Sequence, residues 1–319
     1  MKSSISVTGL LTFAGLLACL ATLASFAGLF WWGFELVTHF RVQYALALSG
    51  CVLILLTLRQ WRWSALFGAF ALLNLAFVIP AFREDDAAAP AVAESQPTLR
   101  ALLANVNAGN RDLERLQHLI VESDPDIILL LEATPWLLDR LRDLNKSYPH
   151  HVAEPRDDPF GIALFGRHPW GRSQIFRFGD AASPPAIVAT ITAGERSFTL
   201  IGTHPWPPVS AELAEGRNEQ LRALASRVRQ SQLPLLVLGD LNLSPWSPWF
   251  ARLLADSGLR DSRRGRGIQP SWPAGWWPLW IPIDHALYSE GIHIRHLEIG
   301  PAIGSDHYPV IVDFQVSGP

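Results

Sequence analysis

Several stretches of this sequence close an apolar run on a side chain able to bind a cation, hold a phosphate or move a proton. LLAN ends on Asn105, ILLLE on Glu132, LIGTH on His204, LVLGD on Asp240 with Asn242 two positions later, and IPID on Asp284; GSDHYP sets Asp306 and His307 just before another apolar run. Taken singly, each has a plain structural reading. Asp or Asn after a strand makes a turn, EATPW can open a helix beside Glu132, and His204 can bond a backbone carbonyl inside a core. Taken together, carboxylates and amides at the same ends of neighbouring strands converge on one point, and that much charge is costly without a cation. Oxygen donors without thiolates favour Mg²⁺, with Mn²⁺ or Ca²⁺ as alternatives, over structural zinc. If extended geometry continues past Asp240, its side chain and that of Asn242 point the same way. One can then position a water or metal while the other grips a substrate oxygen. A bond from Asp284 to His307 would fix the imidazole tautomer and raise its basicity. The set suits attack of water on phosphorus, where charge gathers on phosphoryl oxygens.

The elements that must position these residues are legible as apolar periodicity. Strands are expected at LRALLANVN, IILLLE, GIALFGR, AIVATIT, FTLIGTH, LLVLGD, IDHALYS and PVIVDF. A helix is expected at RDLERLQHLIVE, with Leu113, Leu116, Leu119 and Ile120 inward, and a long one over 210 to 230, capped by Ser210, with Leu213, Leu221, Leu224 and Val228 inward. A short helix starts at SPWF with Pro248 in its first turn. No repeat recurs at fixed period. Many strands with few helices between them give two sheets packed face to face, helices outside.

The first quarter of the chain is of another kind. Mean hydropathy is +0.17, high for a soluble enzyme, and no charged residue lies between Lys2 and Glu35, Arg41 and Arg59, or Arg62 and Arg83. Each gap can hold a membrane helix, which takes about 20 apolar residues. A secretory signal would not be followed by two further spans, and a buried hairpin would not be apolar on every face, as ALFGAFALLNLAFVIPAF is. The chain therefore divides into a membrane domain with three transmembrane helices (1–83), a flexible linker rich in acid, Ala and Pro (84–98), and a catalytic domain (99–319). Lys2, Arg59 and Arg62 set both ends of the first hairpin in the cytoplasm, so the catalytic domain emerges on the outer side; Arg41, read as part of an outer loop, and Arg83 count against this without reversing it. Trp31, Trp32, Trp61 and Trp63 flank the spans as interfacial anchors. Cys19 and Cys51 both fall in the spans, which leaves the catalytic domain no disulfide and no thiolate metal site.

NVN, DIILLLE, GIALFGR, GTH, GDLNLSPWS, IDHAL and GSDHYPV, in that order over about residues 99 to 316, resemble the endonuclease/exonuclease/phosphatase superfamily, the DNase I-like enzymes. GDLN and SDHYP with IDH between them are the specific signals. The resemblance implies an α/β fold, a four-layer sandwich. It implies Glu132 as principal metal ligand with Asn105 beside it, Asp306 assisting with metal or water, and Asp240 orienting or deprotonating the attacking water. Asn242 would hold the phosphate, His307 paired with Asp284 would be the catalytic histidine, and His204 would assist the phosphate or leaving group. Asn107 competes with Asn105 for the first amide position, and Asn105 matches the strand end better. Leu131 stands where the family often has Gln.

The family cuts many phosphate esters, so its motifs do not choose a substrate. A nuclease tracking duplex DNA carries a basic face, whereas this chain has a net charge of −3 and one short basic run, residues 261 to 266. That run is either a solvated loop or a contact to phosphate or anionic lipid. Trp206, Trp276 and Trp277 fall on loops near the strand ends and read as substrate-side or bilayer contacts, while Trp249 and Trp272 read as packing under the sheets. The expectation is a membrane-anchored phosphoesterase of the bacterial inner membrane acting on a lipid-linked phosphate or pyrophosphate. This is similar to the membrane-anchored bacterial branch of the superfamily, some of it tied to glycopeptide resistance, for which an undecaprenyl pyrophosphate-like substrate is implied. The alternatives are a magnesium-dependent nuclease acting on DNA and a catalytically silent receptor; the second fits poorly with a full set of competent side chains.

Overall fold

In a bilayer the backbone has only itself to bond to, so apolar stretches fold as helices. The computed structural model describes residues 6 to 83 and 97 to 317, so Lys2 and most of the expected linker lie outside the described residues. Helix α1 spans Val7–Ser25. Helix α2, Trp32–Leu36, runs through a 3-10 turn, Val37–Phe40, into α3, Arg41–Thr57; α4 spans Trp61–Val78 and ends in a 3-10 turn, Ile79–Phe82. Val7–Ser25, Trp32–Thr57 and Trp61–Phe82 are each long and apolar enough to cross a membrane. The second begins at Trp32, earlier than its charge-free gap implied, and takes in Glu35 and Arg41. Its 26 residues measure roughly 39 Å against about 30 Å of hydrocarbon, so one end can stand clear of the bilayer core. Arg41 is not in a loop. It is buried where the three helices meet, donating to Asn74 Oδ1 at 3.1 Å, while Asn74 donates to Thr22 Oγ1 at 2.9 Å and the rings of Phe26 and Phe77 flank the guanidinium. Polar bonds across helices, where lipid offers none, hold such bundles together.

The catalytic domain comprises β1 Leu99–Asn105, α5 Glu114–Ser123, β2 Ile127–Leu131, α6 Pro135–Arg140, α7 Leu144–Ser147, β3 His150–Glu154, β4 Ile162–Gly166, β5 Trp170–Arg177, β6 Pro185–Ala193, β7 Arg196–Thr203, α8 Ala211–Arg229, β8 Leu235–Asp240, α9 Pro248–Ser257, β9 Arg260–Asp261, β10 Asp284–Tyr288, β11 Ile292–Ile299 and β12 Val310–Val316. Two six-stranded sheets form, in the orders β11-β12-β1-β2-β4-β3 and β5-β6-β7-β8-β10-β9. Leu103, Leu129 and Leu164 of the first meet Ile187, Leu200 and Leu236 of the second in the core between them. Helix α5 covers the outer face of the first sheet through Leu116, Leu119 and Ile120, and α8 with α9 covers the second through Leu221, Leu224 and Leu253. Four layers result, helix, sheet, sheet, helix, because each sheet needs an apolar cover on both faces. Ser210 and Ser247 cap α8 and α9, accepting from Leu213 N and Trp249 N. Leu213, expected inward, is only half-buried.

Candidate active site

Register brings the strand ends together. β1 and β2 run parallel with Asn105 opposite Leu131, so Asn105 and Glu132 leave the first sheet at one edge. β7 and β8 run parallel with Thr203 opposite Gly239, and β10 lies antiparallel with Asp284 opposite Asp240; His204, Asp240 and Asp284 therefore share one edge of the second sheet. The two edges meet where Asn105 Nδ2 donates to Asp240 Oδ2 at 3.2 Å. Backbone crowding fixes two glycines next to these residues. A Cβ on Gly239 would lie 2.1 Å from the Thr203 carbonyl oxygen, and one on Gly161 1.9 Å from that of Ala133.

At the centre His307 Nδ1 meets Asp284 Oδ2 at 2.8 Å, and its Nε2 lies 3.7 Å from Asp240 Oδ2 and 3.5 Å from Asn105 Nδ2. Ser271 Oγ accepts from the N–H groups of Ile283 and Asp284, which fixes the start of β10. Burial opposes protonation of His307, but Asp284, Asp240 and Asp306 outweigh it and raise its pKa to about 10. Burial, reinforced by Asp284, pushes Asp240 up to about 7. His204, with Nε2 3.5 Å from Asp240 Oδ2, is lowered to about 4 by burial, a shift that Glu132 partly offsets. Asp306, exposed on one side, accepts from Asn107 Nδ2 at 2.7 Å and Trp272 Nε1 at 3.2 Å; partial desolvation works against its ionisation, yet these bonds and His307 keep its pKa low.

Three residues of the site, Asn107, Glu132 and Asn242, have φ of +58°, +59° and +53°, a region uncommon outside glycine and enriched at functional sites. Glu132 Oε2 accepts from the Ala108 N–H at 2.8 Å. The strand stops at Asp240, so Asn242 does not share its direction through extended geometry; the left-handed turn returns the Asn242 N–H to Asp240 Oδ1 at 2.9 Å and sends Nδ2 to the Pro205 carbonyl at 3.1 Å. Asn107 and Asn105 are both in the site, the first on Asp306 and the second on Asp240. Trp272 does not pack under a sheet but touches Asp306, whereas Trp249 is buried as expected. Trp206 is half-buried against Phe160, which also touches His204. Trp276 and Trp277 stand out at 65% and 72% exposure and do not join the polar cluster. Of the basic run, Arg263 is buried against Asp261 and His285, Arg266 is half-buried and Arg264 is exposed. Ser271 and Phe160 had no signal in the sequence, since neither ends an apolar run.

The donor chemistry fits a divalent cation. Asp240, Asp284, Asp306 and Glu132 crowd one place, and among the described residues none is paired with lysine or arginine. Asp284 Oδ1 is buried without a partner. Atoms of Asp240, Asp284 and His307 lie within 4.8 Å of one another, and the oxygens of Asn105, Glu132 and Asp306 nearby are the hard donors that suit a divalent cation.

A family model described as the endonuclease/exonuclease/phosphatase family matches residues 102 to 307. The chain belongs to this family. Among solved structures, an endonuclease/exonuclease/phosphatase from Bacteroides vulgatus aligns with a TM-score of 0.59 at 18% identity, covering 70% of this chain and 100% of that one. The human nocturnin catalytic domain with bound sulfate gives 0.57 at 19%, covering 70% and 96%, and a humanized D. rerio TDP2 gives 0.57 at 17%, covering 69% and 99%. A search of curated proteins by sequence finds no match. The fold is thus DNase I-like, and as a member of the family the protein is a hydrolase of phosphate ester bonds. Members of the family work with divalent metals, in keeping with the oxygen-rich cluster.

Proposed function

We propose that this protein is a membrane-anchored, Mg²⁺-dependent phosphoesterase whose substrate is a lipid-linked phosphate or pyrophosphate, with the catalytic domain on the outer side of a bacterial inner membrane. The observation that carries the lipid reading is the seating of the active-site loops on the candidate spans. Trp246 Nε1 donates to the Phe77 carbonyl at 3.1 Å, Gln43 Nε2 to the Trp280 carbonyl at 2.9 Å, and Ser244 lies on His39. A cleft held there opens next to lipid headgroups, and exposed Trp276 and Trp277 suit the bilayer interface.

In this reading Asn105, Glu132 and Asp306 would hold the Mg²⁺. When bound, the ion supplies Lewis-acid stabilisation of charge on the phosphoryl oxygens. Asp240, with its pKa near neutrality, takes the proton of the attacking water as the new P–O bond forms and the bond to the leaving group breaks. His307, kept protonated by Asp284, offsets the charge on the phosphoryl group, and Asn242 and His204 position it. Trp206, Trp276 and Trp277 contact the substrate or its membrane.

The test is Mg²⁺-dependent phosphate release by the detergent-purified full chain from undecaprenyl pyrophosphate, run beside plasmid nicking, with His307→Ala in both arms. Phosphate release abolished by the substitution is the expected result. Nicking without phosphate release would establish the nuclease reading instead.

A further inference from the structure

The loop that follows β8 is gripped by side chains of the membrane domain. Glu35, fully buried near the start of the second span, pairs with Arg217 of α8 and accepts the Ser247 hydroxyl at 2.7 Å. Arg217, equally buried, donates to the Asn242 carbonyl at 3.3 Å and to Asn218 Oδ1 at 2.8 Å. One helical turn past Glu35, His39 Nδ1 lies 2.9 Å from the Ser244 hydroxyl and accepts from the Ser244 N–H at 3.4 Å. Gln43, a further turn along, holds the Trp280 carbonyl. Glu35, His39 and Gln43 are spaced by four, as residues along one side of a helix are.

Asn242 needs such support. Its φ of +53° is left-handed, a region asparagine enters more readily than most residues, and the turn still depends on bonds that fix it. Three bonds do so here: N–H to Asp240, Nδ2 to Pro205, and the carbonyl from Arg217. The third is as firm as the orientation of Arg217, which Glu35 and Asn218 set together. The loop's other face is tied to the catalytic core, where His285 Nε2 donates to the Leu243 carbonyl at 2.7 Å.

We propose that Glu35 and Arg217 are positioning residues for the catalytic loop, so that the membrane domain completes the geometry of the active site as well as anchoring it. The inference rests on the role given above to Asn242 and holds whether the substrate is a lipid or a soluble ester. A small misplacement of a substrate-positioning group costs rate more than affinity for a small substrate.

Three full-length variants in detergent test it, with bis(p-nitrophenyl) phosphate as the probe and His307→Ala marking loss of the site itself, so that a wrong site assignment is told apart from a failed clamp. Glu35→Gln with Arg217→Met removes the pair without leaving a lone buried charge, so the fold is retained. It is expected to keep a near wild-type unfolding temperature yet lose about tenfold in kcat, with KM within about twofold, and to exchange amide hydrogens faster over 241–247 than elsewhere. His39→Ala, which removes no ion pair, gives a smaller change of the same kind. Glu35→Asp, which keeps the charge, restores part of kcat. Wild-type kcat and exchange in both the double variant and His39→Ala would overturn the proposal, as would a loss of kcat that merely follows unfolding temperature, with exchange rising evenly along the chain.

Discussion

Two clusters of charge flank the short loop 241–247, and they are built in opposite ways. At the junction with the candidate spans, Glu35 and Arg217 neutralise one another, and Asn218, Ser247 and the Asn242 carbonyl take up their remaining bonds. At the site, buried Asp240 and Asp284, half-buried Glu132 and exposed Asp306 gather around the single imidazole of His307, whose pKa the three aspartates raise. A closed pair needs nothing further and serves geometry; an unbalanced set needs a cation or substrate and serves chemistry. The comparison separates charge that holds the protein together from charge that waits for a partner.

The contrast is broken most sharply at His307. His307→Ala is expected to lower kcat by about 10⁴-fold while the unfolding temperature stays close to wild type; equal losses of both would place His307 with the structural cluster. At the junction the reverse holds. Arg217→Met alone leaves Glu35 buried and unpaired and is expected to cost about 3–5 kcal/mol of stability, most of it recovered when Glu35→Gln is added, as thermal or denaturant unfolding would show.

Metal separates the two clusters again. Added Mg²⁺ at about a hundredfold over its dissociation constant is expected to raise stability by about 2.7 kcal/mol. Glu132→Gln should abolish this rise and Glu35→Gln should not. Calorimetry with and without EDTA reads the difference.

The smallest effect comes from acid. His285 is buried with Nδ1 against Arg263, and burial followed by the charge of Arg263 holds its pKa well below 6.5. The native state then binds fewer protons than the unfolded chain. This contribution to stability is complete above pH 6.5 and is lost as the pH falls from there toward the folded pKa. His285→Gln should flatten that decline in unfolding experiments over the same range. An unchanged slope would show that other groups, His204 among them, set the acid limit.

The interior strands were legible because burial on both faces demands unbroken apolar runs such as Ile127–Leu131 and Leu235–Leu238. The strands the sequence hid, β3, β5, β9 and β11, are the four sheet edges. There one face or both meet water, as at Gly171, Arg172 and Ser173, and the apolar pattern dissolves. The polar residues at strand ends were legible for the same reason as the interior strands, since each interrupts an apolar run. Their roles in the geometry were not. That Asn242 reaches the site through a left-handed turn and not a continued strand, that Trp272 leaves the core to meet Asp306, and that Arg41 sits among helices instead of in a loop all depend on which neighbours the fold supplies. By itself the sequence determined the long apolar helices, the central strands and the chemical types gathered at their ends, because burial and periodicity are local properties. Tertiary structure alone decided that Glu35, 182 residues before Arg217, would reach across and fix the loop that carries Asn242, because a pairing between distant residues leaves no periodic mark on either.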